Sequence, residues 1–213
     1  MKRFILKIIK HSIRLSVESL KNLTVKIDRL RALFVLSSYP GVGRKRLSSV
    51  LDVGEGYVRN IIGSLKRDGL VREDRVGNFL TSRGKAVVRS ISDHLVAHFD
   101  FNVAGFQNSK AVLVKGLSEH IKMGLEERDA AIRMGATGAL IITCSGGNFW
   151  FPGLVNLSDA NPELVQSIKG QIKMDEKDVV IITWSKSAKD SERGALNAAI
   201  EILEKTGKIS ALI

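Results

Sequence analysis

Two runs of apolar residues, Gly138–Cys144 (GALIITC) and Asp178–Trp184 (DVVIITW), constrain this chain more than any other feature. Each is too short for a helix and lacks the alternation of a strand with one wet face. Each therefore reads as a strand buried on both sides. Strands of that kind need helices above and below, and the flanking sequence supplies them: Glu126–Met134, Asp159–Ile172 and Asp190–Lys205. Ala111–Lys115 and Asn148–Phe151 are further strand candidates. Residues 99–213 are expected to form an α/β layered domain.

The first half follows a different pattern. Residues 1–99 hold 20 Lys and Arg against 8 Asp and Glu, whereas residues 100–213 hold 13 against 14. The whole excess behind the net charge of +11 lies in the first half. A basic half joined to a neutral one implies a module for a polyanion attached to something else. Duplex nucleic acid fits better than membrane lipid, because the charge runs through a folding pattern rather than a bare tail. No run of about 18 apolar residues appears, so no membrane span is expected. The single Cys144 excludes an internal disulfide and a cysteine zinc cage, and it fits a reducing cytoplasm. Residues 1–26 form a basic amphipathic segment, with seven Lys and Arg against Glu18. It can pack on the next domain or on a dimer mate, or extend freely.

Residues 27–98 read as three helices, a hairpin and a fourth helix. The first runs from Ile27 to Tyr39 and stops at Pro40-Gly41. The second begins at Gly43 with Arg44, Lys45 and Arg46, cations placed where phosphate can be met. The third places Val58, Ile61, Ile62 and Leu65 on one stripe. Its opposite face carries Gly56, Asn60, Gly63 and Arg67, with Arg59 and Ser64 on the flanks. A mid-helix glycine costs up to about 1 kcal/mol against alanine, so Gly63 points to a close approach by something large. A major groove is such a body, and Arg and Asn read G and A edges there. Two short strands around Arg75-Val76-Gly77 follow, and then a helix from Ser82 to Phe99 whose apolar residues could form a dimer seam.

The spacing of Arg59, Leu65, Gly69, Leu70 and Val71, then the hairpin, then Leu80-Thr81 and Gly84, resembles winged helix-turn-helix transcriptional regulators of the bacterial and archaeal type. That resemblance implies that the third helix enters the major groove, through Tyr57, Arg59, Asn60 and Arg67. It further implies phosphate contacts from Arg44, Lys45 and Arg46 and, at the wing, from Arg72 and Arg75. Glu73 and Asp74 place two negative charges beside the wing and depart from the simplest pattern. The segment Gly124–Ala139 is similar to the C-terminal domain of an uncharacterised archaeal family that carries an N-terminal winged helix and is described as a predicted regulator.

Beyond the two apolar runs lie small polar loops, Ser145-Gly146-Gly147-Asn148 and Ser185-Lys186-Ser187. Together they would suit a small anionic metabolite at the strands' carboxyl ends. The same Ser-Gly-Gly-Asn is also an ordinary hairpin turn. No catalytic constellation assembles from Cys144, Ser145 and His120, and neither a metal nor a cofactor is implied. His94 and His98 have a ligand spacing but lack a third donor nearby. The expectation is an α+β winged helix-turn-helix domain followed by an α/β layered domain, acting as a dimeric, cytoplasmic, DNA-binding regulator. Its rivals are a protein-binding winged helix in an assembly factor and a nucleic-acid-associated enzyme.

Overall fold

The computed structural model describes residues 2–99 and 101–209, and the side chains of residues 2–17 and of His98 lie outside that description. The chain opens with one helix, α1 (Lys2–Ser38). Sequence reading divides this stretch at residue 26, but no Gly or Pro precedes Pro40, so nothing interrupts propagation. How the basic and apolar side chains up to Val17 are used falls outside the described residues.

From Ile27 onward α1 forms the axis of a helical region. α2 (Arg44–Leu51) and α3 (Glu55–Arg67) pack Leu47, Leu51, Val58, Ile61 and Leu65 against Ile27, Leu30, Leu33 and Leu36. A short antiparallel hairpin follows, β1 (Val71–Glu73) and β2 (Asn78–Leu80), with Val71 opposite Leu80. Its fit depends on Gly77: the backbone there has φ +153°, and a Cβ would lie 2.2 Å from the Gly41 carbonyl oxygen. The close approach lets the backbone N–H and the side chain of Asn78 both donate to the Val42 carbonyl, at 3.2 and 3.0 Å. α4 (Ser82–Ser92) then starts at Thr81, whose hydroxyl accepts from the Gly84 N–H at 3.0 Å.

The helix expected over Ser82–Phe99 is shorter than its apolar content suggested. It stops at Ser92, and the chain enters β3 (Leu95–His98), which pairs with β4 (Lys110–Val114). Backbone pairing with β4 outcompetes one further helical turn. Val87, Val88, Ile91 and Leu95 are all buried within the chain, so intrachain packing accounts for these apolar residues.

The remaining elements are α5 (Leu125–Arg133), β5 (Gly138–Ser145), β6 (Asn148–Phe151), β7 (Val155–Asn156), α6 (Leu157–Ala160), α7 (Pro162–Gln171), β8 (Val179–Trp184) and α8 (Ala188–Lys205). The helix expected from Asp159 to Ile172 is split, because the residue before Pro162 is driven out of helical geometry and Asn161 restarts the helix by capping Leu164 N–H. The six strands lie in the order β3-β4-β8-β5-β6-β7, and every neighbouring pair is antiparallel. One face, with Val112, Val114, Ile141, Val179 and Ile181, is covered by α5 and α8. The other, with Ala111, Leu113, Ile142, Val180 and Ile182, is covered by α6 and α7. The molecule is thus a mixed α and β structure: a helical N-terminal region and a sheet with helices on both faces.

Candidate nucleic-acid interface

Burial of Val58, Ile61, Ile62 and Leu65 fixes the rotation of α3 and turns its opposite face to solvent. Arg59, Asn60 and Arg67 are exposed there, and among the described residues none of the three makes a side-chain hydrogen bond or ion pair. A Cβ at Gly63 would meet only Nη1 of Arg67, at 3.7 Å, and one at Gly56 would meet nothing within 4 Å. Internal packing therefore requires glycine at neither position. The cost of Gly63 in mid-helix has no compensation inside the chain.

Tyr57 does not join this face. It is half-buried against the core, and its hydroxyl donates to Asp28 Oδ2 on α1 at 3.1 Å. Burial and the Asp28 charge push its phenol up to about 12. The resemblance to winged helices implied a groove contact for Tyr57; it flanks the buried stripe, and the carboxylate of Asp28 draws it inward.

Arg44, Lys45 and Arg46 are exposed on the first turn of α2, with the Arg46 guanidinium 5.3 Å from the centre of the Tyr39 ring. The two acids of the hairpin are spoken for. Glu73 pairs with Lys66 at 2.8 Å, and that bond holds its carboxyl below the usual range. Asp74 accepts from the N–H groups of Val76 and Gly77, at 2.8 and 3.2 Å, and pairs with Arg72 at 3.0 Å. Arg72 is further held 4.6 Å from the Phe79 ring centre, so it is an engaged cation rather than a free one. Arg75, at the turn, is exposed and without an ion pair among the described residues.

Behind α3 lies a buried ionic cluster that the sequence pattern did not disclose. Asp28 and Arg31, on α1, are essentially inaccessible to solvent. Arg193 of α8 donates to both Asp28 oxygens, at 2.9 and 2.5 Å. Arg31 donates to Asp28 at 2.9 Å, to the Leu51 carbonyl at 3.1 Å and to Glu192 of α8 at 2.6 Å. Burial alone would raise the Asp28 carboxyl, but the two arginines outweigh it and hold it below its ordinary value. Local helical periodicity places neither Asp28 nor Arg31 in a core, because α8, about 160 residues further on, is invisible to a local pattern. The sequence signal was a pair of opposite charges three residues apart, Asp28 and Arg31, obscured by the further cations Lys26 and Arg29 beside them.

The two polar loops do not come together. β5 and β8 are antiparallel neighbours, with Gly138 opposite Trp184 and Thr143 opposite Val179. Their carboxyl ends point in opposite directions, so Ser145–Asn148 and Ser185–Ser187 lie roughly 20 Å apart at about 3.4 Å per residue. The rule for open parallel sheets fails here because the sheet is antiparallel. Gly146 and Gly147 both have positive φ, 60° and 73°, and form the tight turn from β5 to β6. Gly146 N–H is already taken by Glu176, at 3.1 Å, which opposes an anion at that loop. Asn148 bonds back to the Gly146 carbonyl. At the other end Ser185 is buried and donates to the Gly135 carbonyl at 3.2 Å, while Ser187 caps α8 through the Asp190 N–H. Lys186 is exposed.

Cys144 is buried, and burial together with Glu176 and Asp178 raises its thiol, the opposite of nucleophile activation. Asp178 is buried and joins two loops by accepting from Gly116 N–H and Asp175 N–H, at 2.9 and 2.8 Å. The His98 side chain lies outside the described residues, so its spacing from His94 carries no further statement. Among the described residues, no helix is long and apolar enough to cross a membrane.

Comparison with known proteins divides the chain in the same two parts. Residues 27–86 match the PH0730-like N-terminal domain, and residues 106–202 match a domain of unknown function, DUF4443. The solved structure of hypothetical protein PH0730 from Pyrococcus horikoshii OT3 is similar, with 28% identity and a TM-score of 0.68. The similarity covers 88% of this chain and 98% of that one. No curated protein matches. The two domain matches and the archaeal structure thus agree on similarity to uncharacterised archaeal proteins.

Proposed function

We propose that the N-terminal region is a winged helix-turn-helix that binds duplex DNA, with α3 in the major groove and the β1–β2 hairpin as its wing, and that the chain is a transcriptional regulator. One observation carries the reading: the outward face of α3 presents Arg59, Asn60 and Arg67 without internal partners, along a helix notched by Gly56 and Gly63. Bidentate Arg and Asn side chains discriminate base edges. The exposed cations of α2 and Arg75 of the wing suit phosphate, which positions a protein without reading sequence. Arg72 is a weaker candidate, because contact with phosphate would have to displace Asp74.

A protein-binding winged helix would also use this fold, but it gives no reason for unpaired Arg and Asn side chains beside uncompensated glycines. The experiment that separates the two is fluorescence anisotropy with labelled duplexes across a salt series. Five neutralised phosphates give a log–log slope of about −4.5. DNA selected from a random library should lose about 1–3 kcal/mol with Asn60→Ala, mainly as lost discrimination, whereas Arg44→Ala should weaken all duplexes alike. Salt-independent binding, or none to any selected duplex, would sink the proposal.

A further inference from the structure

Between the helical region and the sheet lies an open cleft of about 700 Å³. Its walls come from both parts: Phe34 and Val35 of α1, Val88 of α4 and Phe99 after β3 on the apolar side, with Lys110 of β4, Lys189 and Glu192 of α8 and Asp52 after α2 on the charged side. Phe34, Val35 and Phe99 are only partly buried, so apolar surface is left accessible inside a concavity.

The two carboxylates that line the cleft, Asp52 and Glu192, are each engaged by a cation. Lys189 is paired with Asp52, at 3.3 Å, and Arg31 with Asp28 and Glu192. Lys110 is different: it is half-buried, donates to the Phe99 carbonyl, and pairs with no carboxylate among the described residues. Arg31, 1% exposed, also lines the cleft, and its Nε has no hydrogen-bond partner. The cleft opens on Ala188 and Lys189, the first turn of the 18-residue helix α8, whose dipole favours negative charge; Ser187 caps the Asp190 N–H there, and Asp190 adds one carboxylate to the same turn. Among the described residues Lys110 is thus a partly buried ammonium without an acid, set beside a helix N-terminus, and both favour an anionic group.

We propose that this cleft is a ligand site for an amphipathic organic acid, whose carboxylate is held by Lys110 and the N-terminal turn of α8 and whose apolar body covers Phe34, Val35 and Phe99. The site differs from the two-loop arrangement expected from sequence: only the approach to α8 is common to both. Neither the cleft nor its charge balance depends on the DNA-binding reading, and no nucleic acid enters the test.

Isothermal titration calorimetry of the full chain decides the matter, with two acids, octanoate and indole-3-propionate, each against its neutral counterpart, octanol and indole-3-propionamide. At least one acid should bind at one per chain and at least tenfold more tightly than its neutral counterpart, a gap of about 1.4 kcal/mol. Lys110→Met should weaken the acid about tenfold and leave the neutral compound unchanged. Ser92→Trp, at an exposed position on the cleft rim, should block both by filling the space, and it serves as the deciding variant should Lys110→Met fold poorly. Failure of both acids to bind at low millimolar concentration overturns the proposal. So does equal binding of acid and neutral compound, or an acid whose affinity ignores the substitutions.

Discussion

Single side chains on α3 separate stability from recognition. Gly63 has open space around its Cα apart from Arg67, so Gly63→Ala should stabilise the chain by up to about 1 kcal/mol in urea unfolding. Under the proposed DNA reading, the added methyl should at the same time weaken duplex binding in the anisotropy assay. A rise in both stability and affinity would show that the notch has no partner. Tyr57→Phe has the opposite signature. It removes a hydrogen bond to a buried carboxylate and should cost about 1–2 kcal/mol of stability, while selected-duplex affinity stays within about twofold once the folded fraction is equal. Asp28 links the same network to pH. Its folded carboxyl lies below its ordinary value, so the folded state binds this proton less tightly than the unfolded chain. The stabilisation is therefore present at neutral pH and lost as pH falls below about 4 through the folded value. Asp28→Asn should remove that acid limb from a plot of stability against pH and lower stability at pH 7 by about 3 kcal/mol, because Arg31 and Arg193 lose the buried carboxylate they share and keep only Glu192 and Asp190.

At the level of elements, the sequence was informative wherever local chemistry decides. The stripe of α3, the Gly77 turn and the two apolar strands β5 and β8 were all legible, because each is specified within a few residues. Direction was not. Two near-identical strand endings look parallel in the sequence, yet Ile141 faces Ile181 in an antiparallel ladder, and that reversal alone separates the two loops read as one anion site. The fate of Leu95–His98 was equally hidden, since an apolar segment after a helix becomes a strand only if a sheet edge is waiting. α8 was read as an ordinary amphipathic helix, although it is buried on nearly every side. Gly194 shows why it can be: a Cβ there would lie 2.9 Å from Ala136 Cβ and 3.0 Å from the Ala131 carbonyl oxygen, so α5 and α8 pack at glycine–alanine separation. Gly194→Val should therefore cost more than the 1–3 kcal/mol usual for overpacking, since the obstacle includes backbone. The midpoint of urea unfolding measures it, with Gly170→Val, at a position with nothing within 4 Å, as the control.

At the scale of the whole molecule, the helical region and the sheet share one hydrophobic core that runs from Ile27 through Leu65 and Ile91 to Ile181 and Leu203. The ionic cluster of Asp28, Arg31, Glu192 and Arg193 sits at that junction, with Lys26–Glu204 and Lys189–Asp52 on its flanks. Buried ion pairs add little stability over apolar packing, but they are strict about geometry, because removing one partner leaves an uncompensated charge. The cluster thus fixes α8 in one rotation against α1, and through Tyr57 it reaches α3. Two consequences follow from a shared core with such a clamp. Thermal unfolding of the full chain should be a single transition when followed by both far-ultraviolet circular dichroism and tryptophan fluorescence, since Trp150 and Trp184 lie in the sheet and most of the helix in α1 to α4. Arg193→Ala should then lower both signals together, by about 2 kcal/mol, because Asp28 keeps Arg31. Were the helical region an independent body on a tether, the same substitution would shift the circular dichroism transition away from the fluorescence transition and split the curve in two.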